Sequence, residues 1–325
     1  MDFRTLLRTA AAVLAAANLW ALDPALARLA GSDAAVVSGI DFQAIHGTPF
    51  GKFLLDKISD ADSRFDRVFQ LTGFDPSRDL HEILIVAEQI GGEPGARLPA
   101  TPVPGSGLVA VKGKFDESAW TSLVARHGAV AEYKGRKLLS DGTSDSAVAF
   151  LDGVFVAASQ ERLRGLIDAA PERDAVLAGR LEALSAENHV WFFANGSPAR
   201  LAEALPNSSR NMRSALSGSV MQSILDMSFG MRFGEQVTIA GEARTRTDED
   251  ARALAGVGKF FAEMAKSNGG APGGLGSLLL SLNLRADGAR LRFTMSAPER
   301  DIERLFESGR ARIRAAGYRE SQRGQ

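Results

Sequence analysis

The sequence predicts an α+β fold of two similar halves, each a mainly antiparallel sheet with helices packed on one face. Three observations carry that expectation. Residues 108–167 and 239–306 repeat one order of strand, amphipathic helix, Gly-containing gap, Asp-Gly hairpin and amphipathic helix. Both repeats hold an Asp-Gly pair between apolar runs, Asp152-Gly153 and Asp287-Gly288, and a tight hairpin turn of that kind needs positive φ at both positions. The closing helices share one stripe, Leu163, Leu166, Ile167 and Ile302, Leu305, Phe306, at the i, i+3, i+4 spacing of a helix face.

Taken in order, the chain starts with Arg4 and Arg8 ahead of an apolar run at 9–21 that ends in small residues. The run is shorter than the ~20 apolar residues of a membrane span and has the form of a secretory signal peptide, with cleavage expected near Ala21. Residues 33–41 read as a strand and 42–71 as amphipathic helical text. One stripe there holds Phe50, Phe53, Leu54 and Ile58, another Phe65, Val68 and Phe69, and Thr48-Pro49 breaks or starts a helix. Gly73 suits a helix end, and Asp75 suits the cap of a short turn with Pro76 in its first position. A buried strand at 83–87 and a Gly- and Pro-rich loop at 89–107 follow.

In the first clear repeat a strand at 108–111 leads to a helix capped by Asp116, with Trp120, Leu123 and Val124 on one face. Strands at 130–133 and 137–139 flank Gly135, and the hairpin 147–158 turns at Asp152-Gly153. A helical stretch at 175–184 connects to the second half. There 190–193 matches the opening strand, Ser197-Pro198 starts a helix, and 227–231 matches the strand at 83–87. In the second repeat Thr247 and Asp250 form a capping-box-like start to a helix bearing Leu254, Val257, Phe261 and Met264. A Gly-rich gap at 269–276 precedes strands at 278–284 and 291–295. The expected division is a signal peptide at 1–21, a first half at 22–172, a connecting helix at 173–186, a second half at 187–315 and a disordered tail at 316–325.

Composition narrows the chemistry. With 38 basic and 39 acidic side chains the chain lacks the basic excess of a nucleic-acid binder, so no nucleic-acid partner is expected. It holds no Cys, which removes disulfides and thiolate metal sites, and the mature length buries an adequate core without either. Local motifs fall short of sites. His81-Glu82 opens like a zinc-protease motif, but Ile85 stands where the second His belongs and the segment reads as strand. The stretch from Asp141 to Asp152 has calcium-loop oxygen spacing, but Ser146 replaces the Gly of its sharp turn, so it reads as a polar turn. The run from Gly269 lacks the Lys of a phosphate loop and reads as a connector. His46, His127 and His189 lie at turns or element ends, where a solvated role is the ordinary one. No catalytic residue, cofactor or metal site is therefore expected. Phe50, Phe53, Phe65 and Phe69 are the candidate lining of a hydrophobic-ligand cavity between helices and sheet.

The segment 33–41, the turn Thr48-Pro49-Phe50-Gly51 and the run 73–80 (Gly-Phe-Asp-Pro-Ser-Arg-Asp-Leu) resemble a set of uncharacterised secreted bacterial proteins that carry a domain of unknown function. The resemblance spans most of the mature chain and implies secretion, with no established activity to carry over. The resulting expectation is an exported, periplasmic or secreted, non-catalytic binding or scaffold protein, with the groove between its halves as contact surface. Its partner is expected to be an envelope protein or a hydrophobic ligand. A lipid or hydrophobic-ligand carrier is the alternative and a hydrolase the third reading.

Overall fold

A computed structural model describes residues 22–53, 63–87, 107–169, 174–197, 218–267 and 275–304. The expected signal peptide and tail lie outside them. One antiparallel sheet of 12 strands runs through the molecule. In chain order the strands are β1 (Val36–Asp41), β2 (Leu80–Ala87), β3 (Leu108–Gly113), β4 (Ala129–Tyr133), β5 (Arg136–Ser140), β6 (Ser146–Leu151), β7 (Val154–Ser159), β8 (Val190–Asn195), β9 (Ile224–Arg232), β10 (Gln236–Thr245), β11 (Asn283–Asp287) and β12 (Arg290–Pro298). Across the sheet they stand in the order β11-β12-β10-β9-β8-β1-β2-β3-β7-β6-β5-β4. The fold is thus mixed helix and antiparallel sheet, and β1 against β8 joins the early strands to the late ones, with Gly39 opposite Trp191.

The turn chemistry acts as the sequence implies at one Asp-Gly pair and not at the other. Asp152 and Gly153 are the two turn residues between Leu151 and Val154, with φ of 49° and 79°. In the second hairpin Asp287 still pairs with Arg290, so the turn residues are Gly288 and Ala289, and only Gly288, at 55°, has positive φ. Lys134-Gly135 makes a second turn of the same kind, at 48° and 75°. Asp141 Oδ1 accepts from the backbone N–H of Thr143 and Ser144, a polar turn.

The helices are α1 (Pro24–Ala27), α2 (Phe42–Ile45), α3 (Ser63–Thr72), α4 (Pro76–Asp79), α5 (Glu117–His127), α6 (Gln160–Asp168), α7 (Ala175–Glu187), α8 (Ser219–Gln222), α9 (Asp248–Ser267) and α10 (Leu275–Leu280), with helical stretches also at 49–53 and 299–304. Three caps come from expected residues: Asp75 accepts from Ser77 N–H, Asp116 from Ser118 and Ala119, and Thr247 Oγ1 from Asp250 N–H; Asp174, which accepts from Val176 and Leu177, adds a fourth. The helical text from 42 breaks after α2 and resumes at 49, as Thr48-Pro49 implies: Thr48 Oγ1 donates to the Ile45 carbonyl and accepts from Gly51 N–H. One local expectation changes. Residues 278–280, expected to open a strand, instead end the helix α10, with Leu278 in the back cluster, and β11 starts only at Asn283.

Helices cover both faces of the sheet, where one covered face was expected. On the front, α1, α6 and α7 bring Leu26, Leu163, Leu177 and Leu181 onto Val37, Leu84, Val86, Ala110, Val156 and Trp191. On the back, α2, α10 and the stretches 49–53 and 299–304 bring Phe42, Leu278, Phe50 and Ile302 onto Ile83, Val111, Val190, Val237 and Ala297. The reason is in the strands. Ile83-Leu84-Ile85-Val86 is apolar at every position, so either face left bare exposes a row of large side chains. β12 instead alternates, with Leu291 and Ala297 buried and Arg290, Arg292 and Thr294 exposed. The helices on β10, β11 and β12, α9 and α10, pack from the back. Among the described residues, no helix covers the late front beyond the edge of α7, and Arg290, Arg292 and Thr294 there are exposed.

Candidate functional site

That uncovered front forms a groove of about 500 Å³ under the edge of α7. Its floor is Ser228 on β9, Thr238, Ala240 and Glu242 on β10, and Arg290 and Arg292 on β12, and its wall is Arg180, Ala183, Leu184 and Glu187 of α7. α7 is held at the correct height from within. Leu177 and Leu181 are buried against the front cluster, and Arg180 lies over the Phe193 ring at 5.5 Å. At the helix end, Asn188 Nδ2 donates to the Leu184 carbonyl, and the Asn188 side chain lies so close over Gly230 that an added Cβ would sit 2.0 Å from it. Arg232 Nε and Nη2 donate to the Glu187 carbonyl at 3.0 and 2.6 Å, a cation at a helix C-terminus.

The charges of the groove are laid out in cross-strand rows. Asp226, buried, receives Arg180 at 3.0 Å and Arg244 Nε at 2.7 Å, which ties α7 to β9 and β10. Glu242 receives Arg290 Nη1 at 3.2 Å and Arg292 Nε at 3.1 Å. Each carboxylate is thus shared by two guanidinium groups. Along the ladders Arg285 stands opposite Arg292 and Arg244 opposite Arg290. Like charges directly opposite each other destabilise a sheet, so this face keeps cations together at a cost to folding. A guanidinium carries five N–H donors, and the carboxylates engage only some of them. Chemically the groove offers planar, charge-assisted donors to an oxyanion.

A second charged cluster lies at the front of β1 and β2. Asp41 and Glu82 are cross-strand partners, and Glu82 accepts from Asp23 N–H at 3.1 Å while Asp23 pairs with Lys112 at 3.4 Å. Burial pushes the Glu82 carboxyl up to about 7 and also raises Asp41. Neither was singled out as a titrating site; only tertiary burial under α1 distinguishes Glu82 from an ordinary strand Glu. His189 departs from the expected solvated role. It is buried, its Nδ1 accepts from Phe233 N–H at 3.1 Å, and burial lowers it to about 4.

The four phenylalanines are brought together only in part. Phe50 is 1% exposed and stacks on Phe233 at 4.2 Å, Phe53 lies 5.8 Å from Phe50, and Phe69 lies 5.6 Å from Phe74, all within the back cluster. The Phe65 side chain, like the gap at 269–274, is outside the described residues. Among the described residues, no cluster of His, Cys, Asp and Glu is arranged to hold a metal ion, and no helix is long and apolar enough to cross a membrane.

No protein-family pattern matches the chain and no curated protein matches it. Its fold overlaps with two crystal forms of TP0453. Crystal form III shows 10% identity and a TM-score of 0.48 over 87% of this chain and 96% of that one. Crystal form I shows 8% identity and a TM-score of 0.44 over 88% and 97%.

Proposed function

We propose that this chain is an exported, non-catalytic binding or scaffold protein whose contact surface is the groove between α7 and the front of β8–β12. The observation that carries the reading is the groove itself: a half-bare sheet face beside strands β1–β3, which are packed on both sides. It is a concave site of ligand-pocket size on rigid strands, with convergent charged groups on its floor and wall. The leader-like text at 1–21 supports export to the periplasm or the medium.

The chain reads further as two fused copies of one unit. The orders β1-β2-β3-β7-β6 and β8-β9-β10-β12-β11 are alike, each with a helix between its third strand and its hairpin, and the copies meet at their first strands. On this reading α7 is the connector, and the groove lies where the connector crosses onto the second copy. The carrier reading has less support, since Phe50 and Phe53 pack into the back cluster and the 500 Å³ groove is lined by charge.

Native mass spectrometry of protein purified from its host's envelope fraction tests this. A partner protein is expected in stoichiometric amount with the wild type and absent from Ala240→Trp, which fills the groove floor. A co-purified lipid that survives Ala240→Trp overturns the reading in favour of the carrier.

A further inference from the structure

We propose that the groove recognises an extended acidic polypeptide segment, with carboxylates at alternate positions, through the arginine row of β12. The inference rests on the groove being the contact surface and names the chemistry of what enters it. Arg290 and Arg292 are alternate residues of one strand on the exposed front, so their Cα atoms are spaced at roughly 7 Å, twice the strand rise. Alternate side chains of an extended peptide have the same spacing, and each carboxylate then meets one planar guanidinium.

Charge supports an anion and not a cation. The whole chain is balanced at −1, yet this face gathers Arg180, Arg232, Arg244, Arg285, Arg290 and Arg292. Against them stand Asp226, Glu242, Glu187 and Asp287. Arg285 stands opposite Arg292 and Arg244 opposite Arg290, and even with Asp226 on Arg244 and Glu242 on Arg290 and Arg292 the cations of this face outnumber its carboxylates. Glu242 and Asp287 offset that excess only in part: Arg292 meets Asp287 at 3.9 Å, beyond good hydrogen-bond length.

The same carboxylates decide between anions. A phosphate group brings nearly two charges to one point and would lie beside Glu242. Single carboxylates spread along a peptide avoid that crowding. The floor favours a backbone too, because Ala240 and Ser228 are small and leave room for an extended chain beneath Arg180.

Binding is tested by fluorescence anisotropy on the full chain, with a labelled Glu-Thr repeat peptide as probe and the Gln-Thr repeat and inorganic phosphate as competitors. Arg290→Gln with Arg292→Gln is expected to weaken the Glu-Thr peptide by about a hundredfold, two lost ion pairs at about tenfold each. Glu242→Gln is expected to tighten it, which an unfolded variant cannot do, and Arg126→Gln on α5 leaves it unchanged. The Gln-Thr peptide and millimolar phosphate should not compete. Phosphate competition at lower concentration than the acidic peptide overturns the peptide assignment, as does binding indifferent to Arg290 and Arg292. If the acidic peptide fails while an envelope partner is still lost on Ala240→Trp, the groove reading stands and this chemistry falls.

Discussion

Gly39 is where a missing side chain matters most. It faces Trp191 across β1 and β8, and a Cβ built there would meet Trp191 Cε2 at 2.3 Å. Trp191 is 1% exposed and anchors the front cluster, so it has nowhere to move. Gly39→Ala is expected to destabilise the protein by about 2–3 kcal/mol, the upper range for overpacking. In a Trp191→Leu background the added cost should fall by more than about 1 kcal/mol, because the two sites share one space. Urea titrations of the double-mutant cycle measure this, and additive costs would remove the steric explanation. Glu82 gives a second residue-scale outcome. Its folded pKa of about 7 lies above the ordinary carboxyl value, so the native state holds a proton that the unfolded state has already lost. Stability from this group is full below about pH 4.5 and is lost as pH rises through 7. Glu82→Gln should therefore flatten the pH dependence and raise stability at pH 8 by about 2–3 kcal/mol. Denaturation midpoints at pH 5 to 8 that fall equally in both proteins sink the assignment.

At the scale of elements, α7 is fixed by a few identifiable contacts. Asp174 caps its start, Leu177 and Leu181 bury its inner face, and Asp226 bonds Arg180 from the floor. Asp226→Ala leaves Arg180 and Arg244 facing one another without their shared carboxylate. Both guanidiniums are partly solvated, which limits the cost to about 1–3 kcal/mol. Hydrogen exchange should speed up in α7 and β9 and stay unchanged in β5–β7; uniform acceleration would mean global and not local loosening. The closing helices show what element-level reading misses. The stripe Leu163, Leu166, Ile167 puts α6 on the front, whereas Ile302 puts the stretch 299–304 on the back. The two stripes look the same in sequence, since a helical period says that a face is buried but not against which side of a sheet. Among the described residues that divergence leaves the late front without a helix beyond α7, where the groove lies. The strand text did hold a sign of it: Leu291-Arg292-Phe293-Thr294 alternates, while Ile83-Leu84-Ile85-Val86 does not.

On the scale of the whole molecule, the expected halves are not independent bodies. The front cluster joins Trp191 and Phe193 to strands β1–β3 and β7, and the back cluster joins Phe50 to Phe233. Calorimetry is expected to show one transition with equal calorimetric and van't Hoff enthalpies. Phe233→Ala should lower the stability of that single transition by about 3–5 kcal/mol and not split it. Two separable transitions would contradict a shared core. By itself the sequence determined most of the strands, the caps at Asp75, Asp116 and Thr247, and the Asp152-Gly153 turn, because these depend on neighbours within a few residues. It also placed Phe50, Phe53 and Phe69 inside, as amphipathic stripes must be. Only the tertiary structure decided that β1 and β8 pair to make one sheet, that helices cover both faces early and one face late, and that Asp226, Glu242 and the arginines of β12 share a groove. Those outcomes rest on contacts between residues far apart in the chain, for which local periodicity carries no information.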